Sequence, residues 1–430
     1  MGLFDWLTTL FKRPEVRRDV STLASDAVGD DVEAATEVVS SKKEPLKANH
    51  RRWNLRDPRL LPKPKPKPTY TWPRPKKKTY FTADDANRLF SGTLRTRNRT
   101  LRDLTTDPEQ LERYGLPLWH NEEDLARALN VTVKQLRHFS IHRHRETSPH
   151  YVCFAIPKRG GGQRLIYAPK RRLKEIQRRL HVLLTARLPT SSVAHGFLPQ
   201  RSVGTNAAPH VGKKFVLKLD LKDCFPSIHF GRVRGLFISF GYGYPVATVL
   251  AVLMTECPRQ PVEIDGSLFH VPVGPRACVQ GAPTSPSLCN AVLLRLDHRL
   301  QGLAKKFGFA YTRYADDLTF SGDDASCAKA LHRLIKKIVA DEGWRLNSDK
   351  TRLLRRAQRQ RVAGVVVNHT LGLSRQERRK LRAAIHQFAK SGDSSSAHRL
   401  RGKVAYLRML NAQQAAPLEA ALQKALETKR

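Results

Sequence analysis

Two adjacent carboxylates, Asp316 and Asp317, stand in the stretch YTRYADDLTFSG between Tyr311, Thr312 and Tyr314 on one side and Leu318, Thr319 and Phe320 on the other. Strand formers bracketing a charged pair predict a hairpin with both acids at its tip. Carboxylates held this close repel, and each makes the other harder to ionise. A divalent metal is the usual relief. A third acid, Asp220, ends FVLKLD, where Phe215, Leu217 and Leu219 alternate with Val216 and Lys218. That alternation predicts a strand ending at Asp220, and Pro226 keeps it from running on as a regular central strand. A carboxylate at a strand end and a pair at a hairpin tip can meet across a small antiparallel sheet. Three such acids suit two magnesium ions about 3.5–4 Å apart. One ion would activate an attacking 3′-hydroxyl, and both would steady the charge as pyrophosphate leaves. Magnesium takes oxygen ligands and substrate phosphates.

The elements that must hold these acids can be read on either side of them. Between Asp220 and the pair, Gly281 and Pro283 of VQGAPTSPSLCN predict a tight turn, Ser285 or Ser287 a cap, and LCNAVLLRLDHRL a helix. A turn leading into a helix N-terminus is a resting place for a base pair and a triphosphate. Upstream, HYVCFAIPKRGGGQRLIYAPK reads as a β-hairpin turning at Gly160, Gly161 and Gly162, with Lys158, Arg159 and Arg164 around the turn. LKEIQRRLHVLLTARL spaces Leu173, Ile176, Leu180, Leu183 and Leu184 along one helix face, with Lys174, Arg178, Arg179 and Arg187 on a solvated opposite face. From about residue 118, LWHNEEDLARALNVTVKQLRHFS predicts two short helices, the first capped by Asn121 or the acids after it. Helical packing accounts for this pair better than a DNA-reading helix-turn-helix. Asp223 reads as a local cap or turn acid.

Composition narrows the partners. The 430 residues carry 77 Lys and Arg against 38 Asp and Glu, a formal charge of +39, which points to a polyanion. Nucleic acid is the first candidate and an anionic membrane the second. No apolar run reaches the roughly 18 residues a spanning helix needs, so no membrane partner is expected. The six cysteines form no C-x-x-C pair, and no His cluster has zinc spacing, which fits a reduced, cytoplasmic setting. MGLFDWLTTLFKR predicts a short amphipathic helix, docked on its own protein or on a partner, with neither a secretory nor a myristoylation signal. Residues 14 to about 48 are acidic and read as flexible. LPKPKPKPTYTWPRPKKK is extended and cationic, either a stiff linker or an arm on RNA with Tyr70 and Trp72 stacking on bases.

Asp220 in LKLDLKDCF, then QGAPTSPSLCN, YADD and LNSDKTRLL follow in the order of the palm motifs of reverse transcriptases, which the chain resembles over roughly residues 120 to 390. NAAPH (206–210) is similar to the N-A-x-x-H element of bacterial retron reverse transcriptases. VAGVVVN (362–368) sits where that group usually has V-T-G, with Ala363 in place of the Thr. The resemblance implies an α+β right-hand polymerase with fingers, a palm built on a small antiparallel sheet and a helical thumb, beside a partly disordered N-terminal extension. The expected division is an N-terminal helix and acidic segment (1–48), a basic linker or RNA-binding arm (49–117), fingers (118–214), palm (215–370) and basic thumb (371–430).

By the same resemblance, Asp220, Asp316 and Asp317 are the metal carboxylates, and the Leu221 carbonyl adds a ligand. Phe225 is the steric gate that rejects a ribose 2′-hydroxyl, so the substrates are deoxynucleotides. Gln280 and Gly281 line the nascent pair, Lys158 and Arg164 sit near the triphosphate, and Lys350 protonates pyrophosphate. Asn206 and His210 are placed at the RNA, with a structural hydrogen bond the alternative for His210. RQERRKLRAAIHQFAKSG, with Arg378, Arg379 and Arg382, grips a duplex by its phosphates. The implied function is RNA-directed DNA synthesis with two Mg2+. A cognate noncoding RNA would be primed from a guanosine 2′-hydroxyl to give short single-stranded DNA, in anti-phage defence with a separate effector protein. The rivals are a group II intron enzyme, for which about 60 residues after VAGVVVN leave little room, a diversity-generating or abortive-infection polymerase, and a nonenzymatic RNA scaffold.

Overall fold

In the computed structural model, residues 105–141, 146–157, 162–264, 266–324, 326–391 and 396–427 are described. The expected N-terminal helix, acidic segment and Pro/Lys arm lie outside them, as do Lys158 and Arg159.

Three short helices come first: α1 (Pro108–Arg113), α2 (Glu122–Leu129) and α3 (Val133–Ser140). Their starts follow from local chemistry. The side chains of Asp107, Asn121 and Thr132 accept from the amides of Gln110, Asp124 and Gln135, and Gln135 answers Thr132 in a capping box. Asn130, at φ 53°, ends α2 in the left-handed conformation that Asn tolerates. The α2–α3 pair is the one expected from the sequence. Helix α1 falls inside the stretch read as linker, yet Leu111 and Leu116 belong to the main core.

The hairpin of β1 (Tyr151–Pro157) and β2 (Gln163–Pro169) precedes α4 (Arg171–Leu183), which buries Leu173, Ile176 and Leu180 as its spacing dictates. After the short α5 (Val203–Ala207) come β3 (Phe215–Asp220), α6 (Phe230–Ser239), α7 (Tyr244–Met254) and the hairpin of β4 (Arg259–Ile264) with β5 (Ser267–Pro272). The expected helix after QGAPTSP is two, α8 (Ser285–Val292) and α9 (Leu294–Lys306). Thr284 occupies the cap position without a side-chain cap bond, so neither Ser285 nor Ser287 plays that part.

Strands β6 (Ala310–Tyr314) and β7 (Asp317–Gly322), helix α10 (Ala328–Asp341) and strand β8 (Arg352–Arg355) complete a four-stranded antiparallel sheet of order β6-β7-β3-β8. Central β3 is covered on both faces, so Val216 is as buried as Phe215. A tight hairpin of β9 (Arg361–Val362) and β10 (Val365–Val366) turns through Ala363 and Gly364, both at positive φ. Helices α11 (Arg375–Ser391), α12 (Ala397–Leu410) and α13 (Ala412–Glu427) hold a separate core around Leu381, Ile385, Leu407 and Leu418. Helices and a small antiparallel sheet thus make the expected α+β arrangement.

Candidate active site

The sheet brings the acids together through its register. Antiparallel pairing of β3 with β7 runs from Phe215 opposite Gly322 to Asp220 opposite Asp317. Tyr314 pairs with Asp317, which leaves Ala315 and Asp316 as a two-residue turn. Ala315 takes φ 56° while Asp316 does not turn positive, the pattern of a type II′ hairpin turn. The Leu221 amide donates to the Asp316 carbonyl at 3.0 Å, and the Asn347 amide to the Asp220 carbonyl at 2.8 Å. Asp220, Asp316 and Asp317 therefore meet at one end of the two central strands. Gly196 covers the turn so closely that a Cβ there would lie 2.7 Å from the Ala315 nitrogen.

The electrostatics are those of a site short of positive charge. Burial, then the charges of Asp317 and Asp220, push the Asp316 carboxyl up to about 6. Asp317 is also raised, by burial first, with Lys218 pulling the other way. Lys350, in the 3-10 turn Ser348–Lys350, places its ammonium 2.9 and 3.1 Å from the two Asp220 oxygens. Burial opposes that charge, but the bond to Asp220 and the neighbouring acids raise the Lys350 pKa overall.

Among the described residues no group of three or more His, Cys, Asp or Glu side chains stands placed to hold a metal ion by itself. Magnesium uses one or two carboxylates and completes its shell with water and substrate phosphates. Three oxygen-only side chains, two raised by burial and then by neighbouring carboxylates and one already bound by a cation, fit divalent ions.

A buried network behind the turn had no signal in the sequence reading. Arg313, fully buried, donates from Nε and Nη2 to both oxygens of equally buried Asp297, at 2.7 to 3.0 Å. Its Nη1 donates to Asn290 Oδ1 at 2.9 Å and to the Ala315 carbonyl at 3.1 Å. Tyr311 adds a bond from its hydroxyl to Asp297, and Asn290 donates to the Gly196 carbonyl. The Ala315–Asp316 turn is thus tied to α8 and α9 through one guanidinium. Its only trace in the sequence is a charge at an otherwise strand-like position of YTRYADD.

Of the other expected site residues, Gln280 and Gly281 lie against the β1–β2 hairpin. The Tyr167 amide donates to the Gln280 carbonyl at 2.8 Å, and Gly281 has φ 119°. A Cβ on Gly281 would sit 2.6 Å from the Tyr167 carbonyl oxygen, so only glycine fits. Arg164 is exposed on β2. Phe225 is half-buried against the main core, within a turn closed by the Ser227 amide donating to the Asp223 carbonyl. Leu221 is buried, its amide engaged by the Asp316 carbonyl. Arg379 and Arg382 are exposed on α11, and Arg378 is half-buried there.

The expected RNA contact from Asn206 and His210 is corrected. His210 is completely buried, with Nδ1 2.7 Å from Ser321 Oγ and Nε2 2.8 Å from Thr312 Oγ1. Asn206 is equally enclosed, and its carbonyl accepts from the Thr312 hydroxyl. This element staples β6 to β7 behind the acids, and burial leaves it no face for RNA. Burial, then the charge of His195, lowers the His210 pKa to about 3, so the ring is neutral.

Comparison with known proteins agrees with this geometry. The family model described as reverse transcriptase (RNA-dependent DNA polymerase) matches residues 156–376. The chain is 59% identical over 95% of its length to the retron Mx65 reverse transcriptase of Myxococcus xanthus, covering 95% of that protein. It is 43% identical to the retron Mx162 reverse transcriptase of the same organism, over 71% of this chain and 67% of that one. Among solved structures, telomerase from Candida albicans in complex with a fragment of telomeric RNA aligns at TM-score 0.42 and 13% identity, over 67% of this chain and 56% of that one. With three acids in register on an antiparallel sheet and a relative this similar over nearly its whole length, the chain belongs to the retron reverse transcriptases and is an RNA-directed DNA polymerase.

Proposed function

We propose that the enzyme uses two magnesium ions to copy part of a cognate structured noncoding RNA into short single-stranded DNA, primed from a guanosine 2′-hydroxyl. The observation that carries the chemistry is the pairing of Asp220 with Asp317, which sets Asp316 beside them in the turn. These side chains, with the Leu221 carbonyl, would hold the ions. Bound magnesium supplies charge neutralisation on the transferred phosphoryl group and a more acidic attacking hydroxyl.

The remaining steps belong to the chain's own groups. Gln280 and Gly281, held on β2, form the surface under the nascent base pair. Phe225 lies beneath the sugar and excludes a 2′-hydroxyl, which selects deoxynucleoside triphosphates. Arg164 and Lys158 neutralise the triphosphate. The Lys350 ammonium, now on Asp220, hands a proton to departing pyrophosphate. Arg378, Arg379 and Arg382 on α11 hold duplex phosphates. In this reading residues 118–214 are fingers, 215–370 palm and 371–430 thumb, with the part of 49–117 that precedes α1 a linker or RNA arm. No helix among the described residues is long and apolar enough to cross a membrane. We place the enzyme in the cytoplasm, in anti-phage defence with a separate effector protein.

The test is expression with the native flanking locus, followed by analysis of the small nucleic acids that copurify with wild type and with Asp316→Asn/Asp317→Asn. The expected result is a discrete DNA in wild type alone that survives RNase and shifts on treatment with a 2′,5′-debranching enzyme. DNA without the branch would remove the priming proposal and leave the polymerase. No DNA, together with no extension of a DNA primer on a supplied RNA template with magnesium, would point to an RNA scaffold.

A further inference from the structure

A second basic surface lies apart from the acids. A cavity of about 940 Å3 is walled by α3, the α2–α3 turn, residues 146–150 and α4 as far as Arg179, and neither Ala315 nor Asp316 lines it. Five of its lining side chains are cations at neutral pH: Lys134 from α3 and Lys170, Arg171, Arg172 and Arg179 from α4 and the residue before it. Two acids, Glu146 and Glu175, also line it. Glu146 is buried and paired with Arg259 at 3.3 Å, and Glu175 is paired with Arg171 at 3.3 Å. Among the described residues no carboxylate pairs with the other four, of which Lys170 donates to Ser148 Oγ at 3.0 Å and Arg179 to the Leu129 carbonyl. The first turn of α4 contains no acid, so apart from Arg171, which Glu175 answers, the cations there face the positive end of the helix dipole.

Rings stand among these charges. His138, Phe139 and His150 form a three-ring cluster with every centroid pair 5.0 Å apart, and all three line the same cavity. Cations drawn from two elements around an aromatic cluster form a surface for a polynucleotide: phosphates meet the ammonium and guanidinium groups, and an unpaired base rests on the rings. Phe139 packs on the main core, while exposed His138 beside it offers a ring face among the cations, which a base can use and an acidic protein surface would not need.

We propose that this groove is a second RNA-binding surface, taking a segment of structured RNA with at least one unpaired base, outside the polymerase site. The inference rests on the RNA-binding reading above and adds where part of that RNA is held. Lys134, Lys170 and Arg172 contact its backbone, and the His138–Phe139–His150 cluster receives the unpaired base.

The test uses the full chain and a fluorescent RNA hairpin with a single-stranded bulge. Wild type is compared with Lys134→Gln/Lys170→Gln/Arg172→Gln, all three side chains being exposed. Binding is measured across salt, and extension of a short primer–template is measured in parallel. The expected result is a loss of roughly tenfold or more in hairpin affinity and a salt dependence shallower by about two to three counterions, with extension kept within about twofold. In wild type, RNA should also protect Lys134 and Lys170 from amine acetylation read by mass spectrometry, which needs no variant. Unchanged affinity and salt slope, with both lysines unprotected while wild type still binds the hairpin, would overturn the groove alone and leave it to an acidic protein. Failure of wild type to bind any RNA would overturn the groove and the RNA-binding reading together.

Discussion

Arg313 donates a hydrogen bond from Nη1 to the carbonyl of Ala315, 3.1 Å away and two residues along the chain. The same guanidinium is held at both Asp297 oxygens in a fully buried pair. The orientation of the turn that presents Asp316 is therefore set by a side chain that touches no substrate. Arg313→Lys keeps the charge but cannot reach Asp297, Asn290 and Ala315 at once. We expect kcat to fall roughly a hundredfold with KM for the nucleotide nearly unchanged, since misplacement of about 1 Å has that effect. Arg313→Met should instead destabilise the fold by about 3–5 kcal/mol, because Asp297 is left buried and unpaired. Steady-state kinetics and urea unfolding separate the two effects. A Lys variant that raises KM alone would contradict a positioning role.

The charge crowding at Asp316 has opposite consequences for stability and activity. Asp316→Asn removes a buried carboxylate raised by Asp317 and Asp220. In chelator the variant should melt at a higher temperature than wild type, while primer extension with magnesium falls roughly a thousandfold or more, about 4 kcal/mol in the barrier. Calorimetry and extension assays on one preparation test both. A lower melting temperature would show that repulsion does not govern this site.

Gly281 cannot accept a side chain where it stands. With φ 119° and a would-be Cβ 2.6 Å from the Tyr167 carbonyl oxygen, Gly281→Ala must push β2 away or distort the turn. The expected cost is about 1–3 kcal/mol of stability. KM for the incoming nucleotide should rise several-fold, because Gln280 is bonded to that strand. Urea unfolding and nucleotide titrations give the two numbers, and an unchanged KM would detach Gly281 from nucleotide binding.

Phe225 carries the sugar selectivity in the proposed mechanism. Phe225→Ala should relax discrimination against ribonucleotides by roughly tenfold or more, the worth of a lost packing surface in a pocket. Competition between deoxynucleoside and ribonucleoside triphosphates on one RNA template measures it. Unaltered discrimination would mean that Phe225 only fills the core.

His210 makes the fold acid-sensitive. Its folded pKa, near 3, lies below the ordinary histidine value of 6.5. The unfolded chain therefore binds the extra proton first as pH falls. Stability is complete above about pH 6.5 and is lost progressively toward pH 3. At pH 5 this one residue should account for about 2 kcal/mol of lost stability relative to pH 7.5. Urea unfolding at the two pH values should show a smaller difference for His210→Gln than for wild type. An equal difference would assign the acid sensitivity to other groups.

What the sequence could say about this protein lay in short-range pattern. The alternation in FVLKLD and around YADD places acids at a strand end and a hairpin tip because side chains on a strand change face at every residue. The caps at Asn121 and Thr132 were equally local, each joining a side chain to an amide three residues away. Other features depended on which faces became covered. Arg313 occupies a strand position that reads as an outward polar residue until α8 and α9 lie over the sheet and bring Asp297 and Asn290, 16 and 23 residues away in sequence, onto its guanidinium. His210 reads equally as an RNA ligand or as a structural hydrogen-bonding group until the chain folds its ring between hydroxyls 102 and 111 residues further on. Polar groups buried by long-range packing must find partners, and sequence order does not carry the identity of those partners. It carries the period of the strand. The tertiary structure decided that the period ends with three acids in one place and a buried arginine holding the turn between them.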